Sequence, residues 1–80
     1  MHRLTLEMND QEGALLRLLG TTERRGWRSV GVNASALDGR ITVTLTVRGD
    51  GSVHLLRRQL HRLHEVEQVC VAPGPQRVAA

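Results

Sequence analysis

The sequence predicts an α+β sandwich, in which one four-stranded antiparallel sheet carries two helices on a single face. Three observations predict it. Four segments alternate apolar and polar residues with period two. Two others place leucines three and four apart. The order of these segments is strand, helix, strand, strand, helix, strand, with the hairpin dipeptide Asp38-Gly39 between the two central strands.

Leu4, Leu6 and Met8 alternate with Arg3, Thr5 and Glu7, so the first strand has an inner and an outer face. It stops at the polar run Asn9-Asp10-Gln11-Glu12-Gly13. Leu15, Leu18, Leu19 and Thr22 then mark one stripe of a helix over about residues 12–25. Asp10 and Glu12 lie near the positive end of its dipole, and Gly26 is placed to cap its C-terminus.

The second strand covers Trp27–Ala36, with Val30, Val32 and Ala34 expected on one face. Gly31 within it marks a weak point or a close approach by another backbone. After Asp38-Gly39, Ile41, Val43, Leu45 and Val47 alternate with Thr42, Thr44 and Thr46 in the clearest strand of the chain. Ser52 is a natural N-cap for a helix over about 52–64, striped by Val53, Leu56, Leu60 and Leu63. A last strand, Glu65–Ala72, has Val69 and Val71 alternating, and Pro73-Gly74-Pro75 stops it. The expected division is one domain over residues 1–72 and a flexible tail over 73–80.

Each half is strand–helix–strand, and right-handed crossovers place both helices on the same side. The result is the ferredoxin-like βαββαβ sandwich. Thr5, Thr42, Thr44, Thr46 and Cys70 should line the uncovered face, which is either solvated or a docking surface.

Eighty residues make one small domain. Such a chain buries only about 60% of its unfolded surface, and its single cysteine leaves no internal disulfide. Oligomerisation is the expected remedy. No apolar run reaches the roughly 20 residues of a membrane span, and the alternating N-terminus does not read as a signal peptide. A reduced, cytoplasmic setting is expected. The net charge is +3, and all eleven basic residues are arginine. Trp27 is the only aromatic, so the stacking platforms of single-stranded RNA-binding sheets are missing.

Function must be argued from a site, since this fold hosts many. A metal carrier needs more ligands than the pair His61 and His64 on the second helix. A small acylphosphatase-type hydrolase needs a basic cradle after the first strand, where this chain has Asp10 and Glu12. Arg57, Arg58 and Arg62 would contact phosphate without base stacking, and read more simply as the outer face of an amphipathic helix. A small-molecule sensor fits better. Gly13 lets backbone approach a ligand, and the first turn of the helix offers N–H groups to a carboxylate. Asp10 beside them suits an α-ammonium group.

Two stretches carry a resemblance to a known family. Glu12-Gly13-Ala14-Leu15-Leu16-Arg17 through Arg25-Gly26-Trp27 resembles the loop and first helix of ACT domains. Arg58-Gln59-Leu60-His61-Arg62-Leu63-His64-Glu65-Val66 is similar to the Lys-Gln-Leu-x-Lys-Leu-x-Asp-Val of small, regulatory acetolactate synthase (acetohydroxyacid synthase) subunits, in their short single-domain type. The resemblance covers residues 3–72.

It implies a non-catalytic subunit of branched-chain amino acid biosynthesis. Thiamine diphosphate, FAD and magnesium would reside on the large catalytic subunit, with no cofactor on this chain. The resemblance further implies a homodimer with sheets side by side. A branched-chain amino acid effector would sit between the loop and first helix of one chain and the second strand of its neighbour. The matching positions are Asp10, Gln11, Gly13, Ala14 and Leu15, with Arg28 and Ser29 on the second strand. Valine-regulated members usually have Asn at the place of Arg28, and Arg donates hydrogen bonds without accepting them. Arg28 is also large enough to fill the pocket or pair with Asp10. This departure implies an activating subunit with weak or no valine response. A free-standing amino-acid sensor serving another enzyme or regulator is the alternative.

Overall fold

In the computed structural model, residues 1–72 are described, so the expected tail at 73–80 lies outside the described residues. The elements run β1 (His2–Asn9), α1 (Ala14–Arg24), β2 (Arg28–Leu37), β3 (Arg40–Arg48), α2 (Val53–His61) and β4 (Val66–Val71). The sheet order is β2-β3-β1-β4, antiparallel at each pairing, which is the ferredoxin-like arrangement.

One face of the sheet makes the core. Leu4, Leu6 and Met8 meet Val43, Leu45 and Val47 across β1 and β3, and Leu18, Leu56 and Leu60 close over them from the helices. All nine are fully buried. Trp27 also lies in the core, 5% exposed, with its ring edge-on to His2 at 5.9 Å between centroids.

The turns follow from local chemistry. Asp38 and Gly39 both adopt positive φ (54° and 78°), the geometry of a two-residue hairpin that follows the sheet's twist. Gly26 takes φ 87° just past α1, and its N–H donates to the Glu23 carbonyl. Ser52 Oγ accepts from the Leu55 N–H, capping α2.

Several expectations shift. α1 begins at Ala14, so Asp10 and Glu12 lie in the preceding loop and no acidic residue occupies its first turn. Its buried face is Ala14, Leu18, Thr21 and Thr22, with Leu15 and Leu19 only half-buried. Thr22 tolerates burial because its hydroxyl donates to the Leu18 carbonyl at 2.9 Å. α2 ends at His61, and Glu65 lies in the turn before β4. In β2 a register shift between Ser29 and Gly31 inserts Val30 as an extra residue. Val32, Ala34 and Ala36 then pair with Leu45, Val43 and Ile41 on the helix-bearing side. They remain exposed, because β2 is an edge strand extending beyond α1.

Candidate functional site

The loop between β1 and α1 is held at several points. The Asn9 N–H donates to the Glu65 carbonyl, and the Asp10 N–H to the Gly39 carbonyl, both at 2.9 Å. Gln11 N–H bonds the Asn9 carbonyl, and Ala14 N–H bonds the Gln11 carbonyl. This last bond uses one of the first-turn donors expected to face a carboxylate. Asp10 and Gln11 are exposed, Gly13 and Leu15 half-buried, and Ala14 buried.

Gly13 is required twice over. Its φ of 76° is the left-handed conformation, and a Cβ there would lie 3.1 Å from Arg17 Nη1. Arg17 folds back over the loop because its guanidinium donates to the Glu12 carbonyl at 3.0 Å and pairs with Glu65. Glu65 is 4% exposed. A hydrogen bond from backbone at Glu65 itself, and then Arg17, hold its carboxyl below the usual carboxylate range, against the opposing effect of burial. The loop is thereby tied to the α2–β4 turn.

Arg28 and Ser29 lie elsewhere. Arg28 opposes Arg48, whereas the loop follows Asn9, which opposes Arg40. The seven candidate residues thus divide between opposite ends of the sheet, separated by the length of α1, roughly 16 Å for its 11 residues. Within one chain Arg28 does not pair with Asp10; it is exposed on the open face. The Ser29 N–H donates to Glu23 Oε2 at 2.8 Å, and Ser29 Oγ is buried without a partner.

Sequence reasoning missed two features. The Arg17–Glu65 pair spans 48 positions, so no local pattern reveals it. The second is a depression of about 360 Å³ on the open face, lined by Arg3, Gly31, Val32, Asn33, Thr44 and Thr46. The polar alternation of β3 signalled that face without showing the hollow. Among the described residues, no three His, Cys, Asp or Glu side chains converge as metal ligands. No helix among them is long and apolar enough to cross a membrane.

The ACT-domain family model matches residues 10–69. The fold is similar to the ACT domain of GTP pyrophosphokinase from Chlorobium tepidum, with a TM-score of 0.77 at 16% identity, covering 89% of this chain and 95% of that one. It is similar to the acetolactate synthase small subunit from Thermotoga maritima, with a TM-score of 0.78 at 22% identity. That match covers 92% of this chain and 48% of that subunit, about half its length. An ACT domain protein from Streptococcus pneumoniae gives 0.71 at 17% identity, over 89% of this chain and 85% of that one. At these identities the likenesses show the fold alone. No curated protein matches the chain in sequence. The family match spans the loop, the first helix and the second strand that carry the candidate residues, and with it the chain belongs to the ACT-domain family of regulatory domains.

Proposed function

We propose that this chain is a non-catalytic, activating small subunit of acetolactate synthase, working as a homodimer and responding weakly or not at all to valine. The observation that carries the dimer and its effector site is the division of the candidate residues between the two ends of β2. β2 runs parallel to β1, since both are antiparallel to β3. A second copy adding its β2 antiparallel to the first brings Arg28 and Ser29 of one chain toward the Asp10–Leu15 loop of the other. Such pairing satisfies the free strand edge and covers the exposed Val32 and Leu16.

The motif resemblance and the shared fold with the Thermotoga maritima small subunit support the choice of enzyme. On this reading thiamine diphosphate, FAD and magnesium belong to the catalytic subunit. A ligand at the seam biases activity only through its different affinity for two arrangements of the dimer. Arg28 in place of a two-way amide weakens recognition of an amino acid's head group. Adding the protein to its organism's acetolactate synthase large subunit tests the reading: turnover rises and the two co-elute. No complex and no activation overturn it.

The second reading is a free-standing amino-acid sensor. The likeness to an ACT domain protein from Streptococcus pneumoniae, covering 85% of that chain, favours it. Calorimetry with valine, leucine and isoleucine separates the two. Tight binding of one of them without large-subunit activation supports the sensor.

A further inference from the structure

We propose that the open face of the sheet carries a second site, beside the proposed dimer seam, for a small anion bearing at least two negative charges. The depression lined by Arg3, Gly31, Val32, Asn33, Thr44 and Thr46 is its floor, and Arg48, with Arg28 opposite it, adds charge beside Arg3.

The register places these groups together. Gly31, Thr46 and Arg3 form one row across β2, β3 and β1, with Asn33, Thr44 and Thr5 in the next row. On the other side of the first row, Arg28 stands directly opposite Arg48. Arg48 is diagonal to Arg3, at about 7–8 Å between positions, within reach of long side chains. Gly31 has no side chain and leaves the hollow open beside Thr46.

The charges on this face are unbalanced. Like charges directly opposite in a sheet repel. Among the described residues no carboxylate pairs with Arg3, Arg28 or Arg48. The acids nearest in the sheet are committed elsewhere: Glu7 and Glu67 both hold Arg40 at the far end, at 3.5 and 3.1 Å. Glu23 accepts from the Ser29 N–H. A cross-strand arginine pair beside a third arginine and a polar hollow is unfavourable when empty and favourable around an anion.

The lining narrows the ligand class. Guanidinium groups bind phosphate and carboxylate oxygens through two parallel bonds, and the hydroxyls and amide supply further donors. The hollow has no aromatic wall on which a nucleobase could stack. A phosphate ester or a di- or tricarboxylate without an aromatic base fits. The proposal does not rest on the acetolactate synthase reading, and its failure leaves that reading intact.

The test is an amide-resolved NMR titration of the full chain with sodium pyrophosphate, and separately with citrate, at about 50 mM and about 200 mM salt. Saturable shifts at Gly31, Asn33, Thr44 and Thr46, weakened by the higher salt, are expected. The stronger of the two probes identifies phosphate or carboxylate as the preferred group. Arg48→Gln is expected to bind about 10-fold more weakly. The same variant melts no lower than the parent without ligand, because it removes a like-charge pair, so lost binding is not lost folding. Four results would overturn the site: no saturation; equal shifts at Arg57, Arg58 and Arg62 on α2; unchanged affinity in Arg48→Gln; or binding of a glutamate-rich peptide alone, which would mark a protein-docking face instead.

Discussion

Arg17 reaches from the second turn of α1 to Glu65, in the turn before β4, and on the way covers Gly13 and bonds the Glu12 carbonyl. One side chain therefore connects the candidate effector loop to the α2–β4 turn of the opposite half. Truncating it leaves Glu65 buried without its cation, which is more costly than losing an exposed pair. Arg17→Gln is expected to lower the melting temperature more than Arg58→Gln on the exposed side of α2. It should also broaden loop amide signals from Asp10 to Gly13.

The same pair has a pH signature. The Glu65 carboxyl is held below its usual value of about 4.5 in the folded chain. Its contribution is thus fully present above that value and is lost as pH falls through the folded pKa. The stability gap between the parent and Glu65→Gln should be constant above about pH 4.5 and narrow below it. A gap unchanged down to pH 2.5, as an order-of-magnitude bound on the titration range, would separate Glu65 from this role.

Gly49 is the tightest glycine in the fold. A Cβ there would lie 2.6 Å from Trp27 Cε3 and 2.8 Å from Cδ2. Trp27 is wedged between β1 and the end of β3, so the ring has little room to withdraw. Gly49→Ala should cost about 1–3 kcal/mol, the range for overpacking a filled core, read by denaturant unfolding. Gly51, whose Cβ position is 3.7 Å from the ring, should tolerate the same change with a much smaller loss.

Gly13→Ala tests the loop. The positive φ costs roughly 1–2 kcal/mol in any residue with a Cβ. Arg17 must in addition move by a few tenths of an ångström. Gly26→Ala shares the backbone cost, with nothing within 4 Å of its Cβ position. The difference between the two variants therefore reports the Arg17 contact, and Gly13→Ala alone should perturb the Asp10–Leu15 amides.

The periodic signals made most of this architecture legible. β3 was clear because every residue from Ile41 to Val47 is β-branched or apolar, and its alternation survives intact in the burial pattern. The Asp38-Gly39 turn and the Ser52 cap were legible because each depends on one or two residues acting locally. β2 was only half legible. Val30, Val32 and Ala34 look like one face in sequence, but the irregularity at Ser29–Gly31 displaces Val30. Alternation also cannot say whether a strand is central or at an edge, so the exposure of Val32 was hidden. The candidate site was legible as a loop and not as a geometry. The distance between Arg28 and the loop depends on strand order, and the Arg17–Glu65 tie depends on a fold closing over 48 positions.

The edge position of β2 supplies the last prediction. Val32 faces the helix-bearing side yet is 45% exposed, and Leu16 on α1 is 75% exposed. In an isolated protomer these two side chains contribute little to the core, so Val32→Glu should leave the monomer folded. In an antiparallel β2–β2 dimer the same substitution buries two carboxylates near the seam and sets them against each other, a cost far above that of a surface change. Light scattering after size exclusion should show the parent at the dimer mass and Val32→Glu at the monomer mass, with circular dichroism unchanged. On the proposed function, this variant also loses activation of an acetolactate synthase large subunit. Thr44→Glu, on the open face beside β1, serves as the control: it should leave the dimer mass unaltered, because it adds the same charge on the side of the sheet that the seam does not cover.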